Sequence, residues 1–95
     1  MKHYRLRPEA VADLESIGDY IAADNPTRAV SFVRELIAVC QRLAATPGIG
    51  VARESLRAGL RMFPVRGYLI FYVPTDDGVE VIRVLSGARD IDALF

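Results

Sequence analysis

The chain has 95 residues, a hydrophobic share of 52% and a formal net charge of zero. This length suffices for one domain and is too short for two, and the zero charge excludes a general electrostatic attraction to nucleic acid or to an anionic membrane. A single cysteine, Cys40, excludes an internal disulfide and fits a reducing compartment. Because the sequence has neither a membrane-length apolar run nor an apolar signal core, we expect one cytoplasmic domain over residues 1–95, with no membrane association.

The first half of the chain has the pattern of a strand followed by two helices. Residues 2–6 alternate in polarity, which predicts a strand, and Pro8 suits the first turn of a helix. Apolar residues then recur at helical spacing, at Val11, Leu14, Ile17 and Ile21. After a break at residues 24–27, with Asn25 as candidate N-cap, a second helix is predicted to about residue 45. Its broad apolar stripe consists of Ala29, Phe32, Val33, Leu36, Ile37, Cys40, Leu43 and Ala44.

The second half has the pattern of an antiparallel meander. Three β-rich runs, at residues 60–65, 68–73 and 79–85, are separated by short turns. The middle run is apolar on both sides of its alternation, which is typical of a central strand covered on both faces. The sequence therefore predicts an α+β fold of order β-α-α-β-β-β, with a helical hairpin packed on one face of a small antiparallel sheet. Since one hairpin covers one face only, the second face is a candidate docking surface.

The inventory of reactive side chains argues against hydrolytic chemistry. His3 is the only histidine, and no Cys/His cluster has metal-ligand spacing, so we expect neither a metal nor another cofactor. There is no Gly-rich phosphate loop and no GxSxG motif. Arginines and tyrosines remain, and such residues on strands bind either RNA or an acidic protein surface. The zero net charge favours the protein partner.

Five stretches in order form a recognisable pattern, which spans essentially the whole chain. The most specific is Val81-Ile82-Arg83-Val84-Leu85-Ser86-Gly87-Ala88-Arg89-Asp90. The other four are Leu6-Arg7-Pro8-Glu9-Ala10, Tyr20-Ile21-Ala22-Ala23-Asp24-Asn25-Pro26, Gly59-Leu60-Arg61-Met62-Phe63-Pro64-Val65 and Tyr68-Leu69-Ile70-Phe71-Tyr72. Together these stretches resemble the toxins of the RelE/ParE superfamily. The chain departs from that pattern at Ser86, where members often carry histidine.

The resemblance implies two possible targets for such a toxin. RelE-type members cut mRNA on the ribosome with basic side chains and often a terminal tyrosine. In this chain, apolar residues stand where such enzymes would have two lysines, an arginine and the terminal tyrosine: Leu60, Met62, Leu69 and Phe95. Of the RelE-type basic residues, only the arginine of the last motif is kept, as Arg89. Loss of proton transfer and of phosphate stabilisation removes orders of magnitude in rate. We therefore expect a ParE-type protein that is not an enzyme and that inhibits DNA gyrase by binding it.

The resemblance also implies a partner, a ParD-like antitoxin whose disordered tail folds on the toxin in a hetero-oligomer, with operator DNA bound only through the antitoxin. The predicted antitoxin-binding residues are Leu60, Arg61, Met62, Leu69, Phe71, Arg83 and Arg89. For Arg83 and Arg89, internal pairing with Glu80, Asp90 or Asp92 is an equal alternative. The predicted target-binding residues are Ile91, Leu94 and Phe95, unless they pack back on their own sheet.

Two other functions stay open at the level of sequence. One is a ribosome-dependent mRNA endonuclease with an unusual active site. The other is a non-toxic homologue whose remaining activity is binding of its antitoxin. Fold does not separate these possibilities, because one scaffold carries different functions.

Overall fold

The computed structural model describes residues 2–89 and 91–95, and these residues form five strands and two α-helices. Their order confirms the prediction. The elements are β1 (His3–Leu6), α1 (Pro8–Ala22), α2 (Pro26–Ala45), β2 (Val51–Ala52), β3 (Arg61–Val65), β4 (Tyr68–Thr75) and β5 (Gly78–Ser86), with 3-10 turns at Pro47–Ile49 and Asp92–Leu94. Among the described residues, no helix is both long and apolar enough to cross a membrane.

Local chemistry explains where the helices begin and how the last strands are joined. Asn25 is extended, and its side chain accepts a hydrogen bond of 3.0 Å from the Arg28 N–H, which caps α2. Proline occupies the first turn of both helices. Arg66 and Gly67 both have positive φ, at 47° and 85°, as a two-residue type I′ hairpin turn requires. This turn sets the register of β3 against β4.

The sheet has the strand order β1-β5-β4-β3-β2. The meander β2 to β5 is antiparallel, but β1 pairs with β5 in parallel, so the sheet is mixed and the predicted wholly antiparallel pairing is corrected at this edge. The parallel pairing follows from the two-helix crossover, which returns the chain to the opposite edge of the sheet. Gly78 is required at this pairing, because a Cβ there would overlap the main chain of His3.

One face of the sheet packs against the helical hairpin and forms the larger core. Leu14, Leu36 and Leu43 from the helices meet Ile70 and Tyr72 from β4. Although the Tyr72 ring is fully buried, its hydroxyl donates to the Pro47 carbonyl at 2.7 Å and accepts from the Gly50 N–H at 2.9 Å. These bonds fix the connection after α2 to the centre of the sheet.

Cys40 lies within this core, as predicted for a packing residue. Its side chain is fully buried, and burial raises the pKa of the thiol to about 11. The neutral thiol is therefore the form that the folded chain holds at neutral pH.

Candidate protein-binding site

The face of the sheet opposite the helices, which we call the outer face, is apolar. Leu60, Phe71, Ile82 and Leu85 form its buried centre, and Met62, Leu69 and Val73 lie partly buried around them together with Leu56. The structure thus brings together all four apolar residues predicted to bind a partner: Leu60, Met62, Leu69 and Phe71. Ile82, Leu85, Val73 and Leu56 were missed as members of this face. Leu56 gave no signal because it lies in a connection without periodicity.

The outer face is not open along its whole length, because the end of the chain packs on it. Ile91, Leu94 and Phe95 contact the buried centre, and the ring centroids of Phe71 and Phe95 are 4.9 Å apart. Leu60 and Phe71 consequently have no exposed surface. The residues predicted to bind the target therefore lie against the residues predicted to bind the antitoxin, as the alternative of a packed-back tail describes.

The C-terminal segment, defined here as residues 91–95, contacts the sheet through its side chains in the part of the chain that the structure describes. Its main-chain hydrogen bond is local, from the Leu94 N–H to the Ile91 carbonyl at 3.0 Å. Among the described residues, no hydrogen bond joins this segment to a strand. Ile91, Leu94 and Phe95 each keep part of their surface exposed. The segment is thus an apolar cover without the ladder bonds that hold the strands.

Arg61 does not share the outer face with its neighbours in sequence. Its side chain projects to the other side of β3, where Nε donates to the Gly50 carbonyl and Nη2 to the Gly48 carbonyl, both at 3.1 Å. Strand alternation explains this placement, since Leu60 and Met62 point away from Arg61. The geometry assigns Arg61 to stabilising the connection between α2 and β2.

Arg83 makes an internal ion pair, and its partner is an acid that we did not predict. Nε and Nη2 donate to the two carboxylate oxygens of Asp13 at 2.8 and 2.9 Å. Asp13 replaces the expected partners Glu80 and Asp92; Asp90 lies outside the described residues. The hydrogen bonds and charge of Asp13 raise the pKa of the Arg83 guanidinium against the opposing effect of burial. Arg83 therefore remains charged under all ordinary conditions.

A β-bulge is what directs Arg83 toward α1. The register of β4 against β5 shifts between Phe71 and Tyr72, so that Ile82 and Arg83 together lie opposite Phe71. Such a bulge redirects one side chain out of the alternation. Asp13 also accepts a hydrogen bond from the Val84 N–H at 2.9 Å. Val84 lies on β5 beyond the residues that pair with β1, which end at Val81. One carboxylate thus satisfies both the arginine and an edge amide.

Arg89 is the predicted arginine that lies at the surface. It follows β5, and its N–H donates to the Ser86 carbonyl at 3.1 Å. Its side chain lines a small cavity of about 180 Å³ together with Ser86, Tyr20 and Tyr68. Tyr20 is 79% exposed, which is unusual for a large aromatic residue. Arginine beside exposed tyrosine is a combination that both protein and RNA interfaces favour.

The rim of the outer face carries positive charge. Arg7, Arg57 and Arg83 line a cavity of about 200 Å³ next to Leu94 and Phe95, with Glu9 as the acid among its lining residues. Along the same face, the Arg53 guanidinium lies 3.6 Å from the sulfur of Met62. An occupant of this face that carries acidic groups beside its apolar ones would be matched in charge.

A second apolar surface lies on the outside of the helical hairpin. This interhelical groove has a volume of about 520 Å³ and runs between α1 and α2, lined by Val11, Leu14, Glu15, Gly18, Asp19, Ala29, Val30, Val33 and Arg34. Val11 is 40% exposed and Val30 is 53% exposed. Val11 was predicted to lie in the buried stripe of the first helix, and this is corrected: Ala10 takes the buried position.

The one histidine of the sequence does not lie beside the outer-face residues of β3. His3 lies on β1, and β5 and β4 separate this strand from β3, which carries Met62. In the part of the chain that the structure describes, no group of three or more His, Cys, Asp or Glu side chains is placed to hold a metal ion. What the geometry offers is apolar contact area with arginines around it.

The fold and these surfaces define a class of small α+β proteins, in which a helical hairpin backs a mixed sheet with an apolar outer face. A solved chain from the chromosomal ParDE TA system of P. aeruginosa has this fold. It superposes with a TM-score of 0.76 over 90% of this chain and 96% of its own, at 19% sequence identity.

Sequence comparison gives the family. Residues 4–91 match the family described as ParE toxin of type II toxin-antitoxin system, parDE. Toxin ParE1 of Caulobacter vibrioides is 40% identical over 94 residues, which cover 98% of this chain and 97% of that protein. Toxin ParE1 of Mycobacterium tuberculosis is 36% identical over 91 residues, covering 94% and 93% respectively. The chain therefore belongs to the ParE toxin family of type II toxin–antitoxin systems.

Proposed function

We propose that this chain arrests growth by binding DNA gyrase, that it catalyses no reaction itself, and that a ParD-like antitoxin neutralises it. The observation that carries the proposal is the chemical character of the outer face. Its four central residues are apolar and packed together, and three positions where RelE-type enzymes need charged side chains hold Leu60, Met62 and Leu69. A face of this kind suits protein docking better than phosphate chemistry.

In this proposal two adjoining surfaces bind two different partners. The outer face takes the antitoxin, and the C-terminal segment supplies the gyrase contact through the exposed parts of Ile91, Leu94 and Phe95. Large apolar and aromatic side chains of this kind dominate binding free energy at the centre of interfaces. The positive rim adds specificity for an acidic partner.

The test is a supercoiling and DNA-cleavage assay with purified gyrase and with toxin freed from its antitoxin. We expect linear, gyrase-linked DNA to accumulate and added antitoxin to suppress it. The double variant L94A/F95A should lower cleavage about tenfold or more, because it truncates two proposed contact residues. Val30→Ala removes a similar apolar group from the interhelical groove and should leave cleavage unchanged.

Absence of any gyrase effect, in a preparation that arrests growth in cells, would overturn the proposal. The mRNA endonuclease is then the next candidate, since Arg89 beside Tyr20 and Tyr68 offers phosphate and stacking contacts on the surface. Ribosome-bound mRNA is the substrate to test in that case. A chain without toxicity that still binds its antitoxin would identify the non-toxic homologue.

A further inference from the structure

The interhelical groove has an acidic wall and a basic wall. Glu15 and Asp19 stand on α1, Arg34 stands on α2, and all three line the groove. All three residues are exposed, and none of them joins an ion pair among the described residues. The fold itself therefore leaves opposite charges unused on the two sides of one apolar surface.

The floor of the groove consists of small residues. Gly18 has no side chain, and a Cβ placed there would meet the Val33 Cγ2 at 3.5 Å, an ordinary contact distance. Ala29 stands on the facing helix. Val11 and Val30, which also line the groove, are exposed. A surface that has both projecting valines and a hollow of small residues can be complementary to a copy of itself.

The heights of the charged residues along the helices follow from one contact. Gly18 faces Val33 across the groove, so these two residues lie at about the same height on antiparallel helices. With a rise of about 1.5 Å per residue, Arg34 then lies about 3 Å along the axis from Glu15 in one direction and from Asp19 in the other. An arginine from outside, placed over α1 at this height, can reach both carboxylates.

Two arrangements of two copies bring their grooves face to face. A two-fold axis parallel to the helices lays α1 of one copy over α2 of the other at equal height. Arg34 of each copy then meets Glu15 and Asp19 of the other, and this pairing occurs twice. A two-fold axis across the helices lays α1 on α1, with acid against acid. Charge therefore favours the first arrangement.

The proposed antitoxin matches the groove less well than a second copy does. An acidic segment suits the arginines beside the outer face, whereas the groove presents two carboxylates and one guanidinium. A copy of this chain brings both charges in the order that the groove requires.

The area of the hairpin indicates how tight such a contact is. Helices of 15 and 20 residues are about 22 and 30 Å long, and side by side they are about 20 Å wide. The two copies together would bury about 1,000 Å², at the lower end of specific interfaces. We expect a reversible contact with a dissociation constant in the micromolar range.

We infer that two copies of this chain associate through the interhelical groove, in a two-fold dimer in which Arg34 of each copy pairs with Glu15 and Asp19 of the other. The helices lie between the two sheets in this dimer. The outer face of each copy therefore stays accessible, and the proposed binding of gyrase and antitoxin does not require the dimer. The inference goes beyond the proposed function and does not depend on it.

The test is sedimentation of the purified full chain over a wide range of concentration. The mass should rise with concentration from the monomer value of 10.5 kDa toward twice that value. Arg34→Glu and the double variant E15R/D19R each place like charges together, so each should weaken the dimer about tenfold or more. Because these residues are exposed, circular dichroism should show an unchanged fold. A parent chain that stays monomeric throughout, or a dimer that ignores both variants, would overturn the inference.

Recombining the charges tests whether the pairing runs between copies. An equimolar mixture of R34E and E15R/D19R should dimerise again, because each acid pair then faces an arginine or the reverse. The triple variant E15R/D19R/R34E should dimerise by itself, which an arrangement of α1 on α1 does not allow. Failure of the mixture contradicts pairing between copies, and failure of the triple variant alone contradicts the orientation.

The apolar part of the contact has a matched control. Val11→Ser removes an exposed valine from the groove in both copies and should weaken the dimer about fivefold. Val51→Ser removes an exposed valine from β2, outside the groove, and should leave the dimer unchanged. A dimer that responds to Val51→Ser and not to Val11→Ser would place the contact at the sheet edge and overturn the inference.

The antitoxin is the other possible occupant of the groove, and the same variants identify it. Purified antitoxin should bind Arg34→Glu and Val11→Ser as tightly as it binds the parent chain. Weaker binding of antitoxin to both variants, with a parent chain that is monomeric at every concentration, would assign the groove to the antitoxin and overturn the inference. Since gyrase cleavage is measured separately, that result would leave the proposed gyrase target intact.

Discussion

The two sides of the sheet are covered by different means. On the helical side, α1 and α2 bury Leu36, Ile70 and Tyr72, and polar bonds from Asp13 and Tyr72 add to the apolar packing. On the outer side, a five-residue segment and Leu56 cover a smaller cluster by apolar contact. Full burial of a residue therefore does not measure how firmly its cover is held. One side is a core, and the other is a face whose cover makes no hydrogen bond to a strand among the described residues.

A matched pair of leucines gives the largest expected contrast between the two sides. Leu36 and Leu60 are both 0% exposed, and each is changed to alanine. Leu36→Ala should lower the free energy of unfolding by about 3–4 kcal/mol, because the helices and sheet around it cannot collapse into the cavity. Leu60→Ala should lose about 2 kcal/mol, because the loosely attached cover can move inward. Urea unfolding measures both values, and equal losses would show that the outer side is as rigid as the core.

The contacts of Asp13 with Arg83 and Val84, on the helical side, give the next largest effect. Asp13→Asn removes the charge that Arg83 faces and weakens the acceptor for the Val84 N–H, so we expect a loss of about 2–3 kcal/mol. Glu9→Gln is the control on the same helix. Its contact with Arg7 is longer, at 3.8 Å, and exposed, and its loss should change stability by less than about 0.5 kcal/mol. Similar small losses of stability for both variants would mean that the contacts of Asp13 stabilise the fold no more than the exposed Arg7–Glu9 pair does.

The buried thiol gives the smallest effect, in alkaline solution. The pKa of Cys40 is raised from an ordinary 9.0 to about 11, so the unfolded chain loses this proton first. The stabilising contribution is therefore complete below pH 9 and is lost as pH rises to 11, a change of about 2 kcal/mol. Cys40→Ala should lack this part of the pH dependence of the free energy of unfolding. Parallel curves for the two proteins would indicate that solvent reaches the thiol in the folded chain.

The fold was predictable because periodicity and turn chemistry act locally. Pro8, Asn25 and the pair Arg66-Gly67 mark the helix starts and the hairpin turn, each acting over only a few neighbouring residues, and the structure follows them. The parallel β1–β5 pairing was not predictable in this way, since it joins residues more than seventy positions apart. Alternation located the outer face correctly for the same local reason.

The apolar residues of the candidate site were predictable, but the fact that another part of the chain covers them was not. Alternation places Leu60, Met62, Leu69 and Phe71 on one face, but it says nothing of what covers that face. Arg61 and Arg83 were assigned to the partner because charge in a sequence carries no direction. Arg61 donates hydrogen bonds to two backbone carbonyls, and a β-bulge directs Arg83 toward α1. Such long-range placement is settled by tertiary structure alone.

The parallel pairing of the first strand has a consequence for synthesis. β1 is synthesised before its partner in the sheet, residues 78–81 of β5, and more than seventy residues separate the two along the chain. Until that partner is made, His3–Leu6 has no strand to pair with, and Asp13 has neither Arg83 nor Val84 to bind. The nascent chain therefore cannot complete its sheet until β5 has been synthesised.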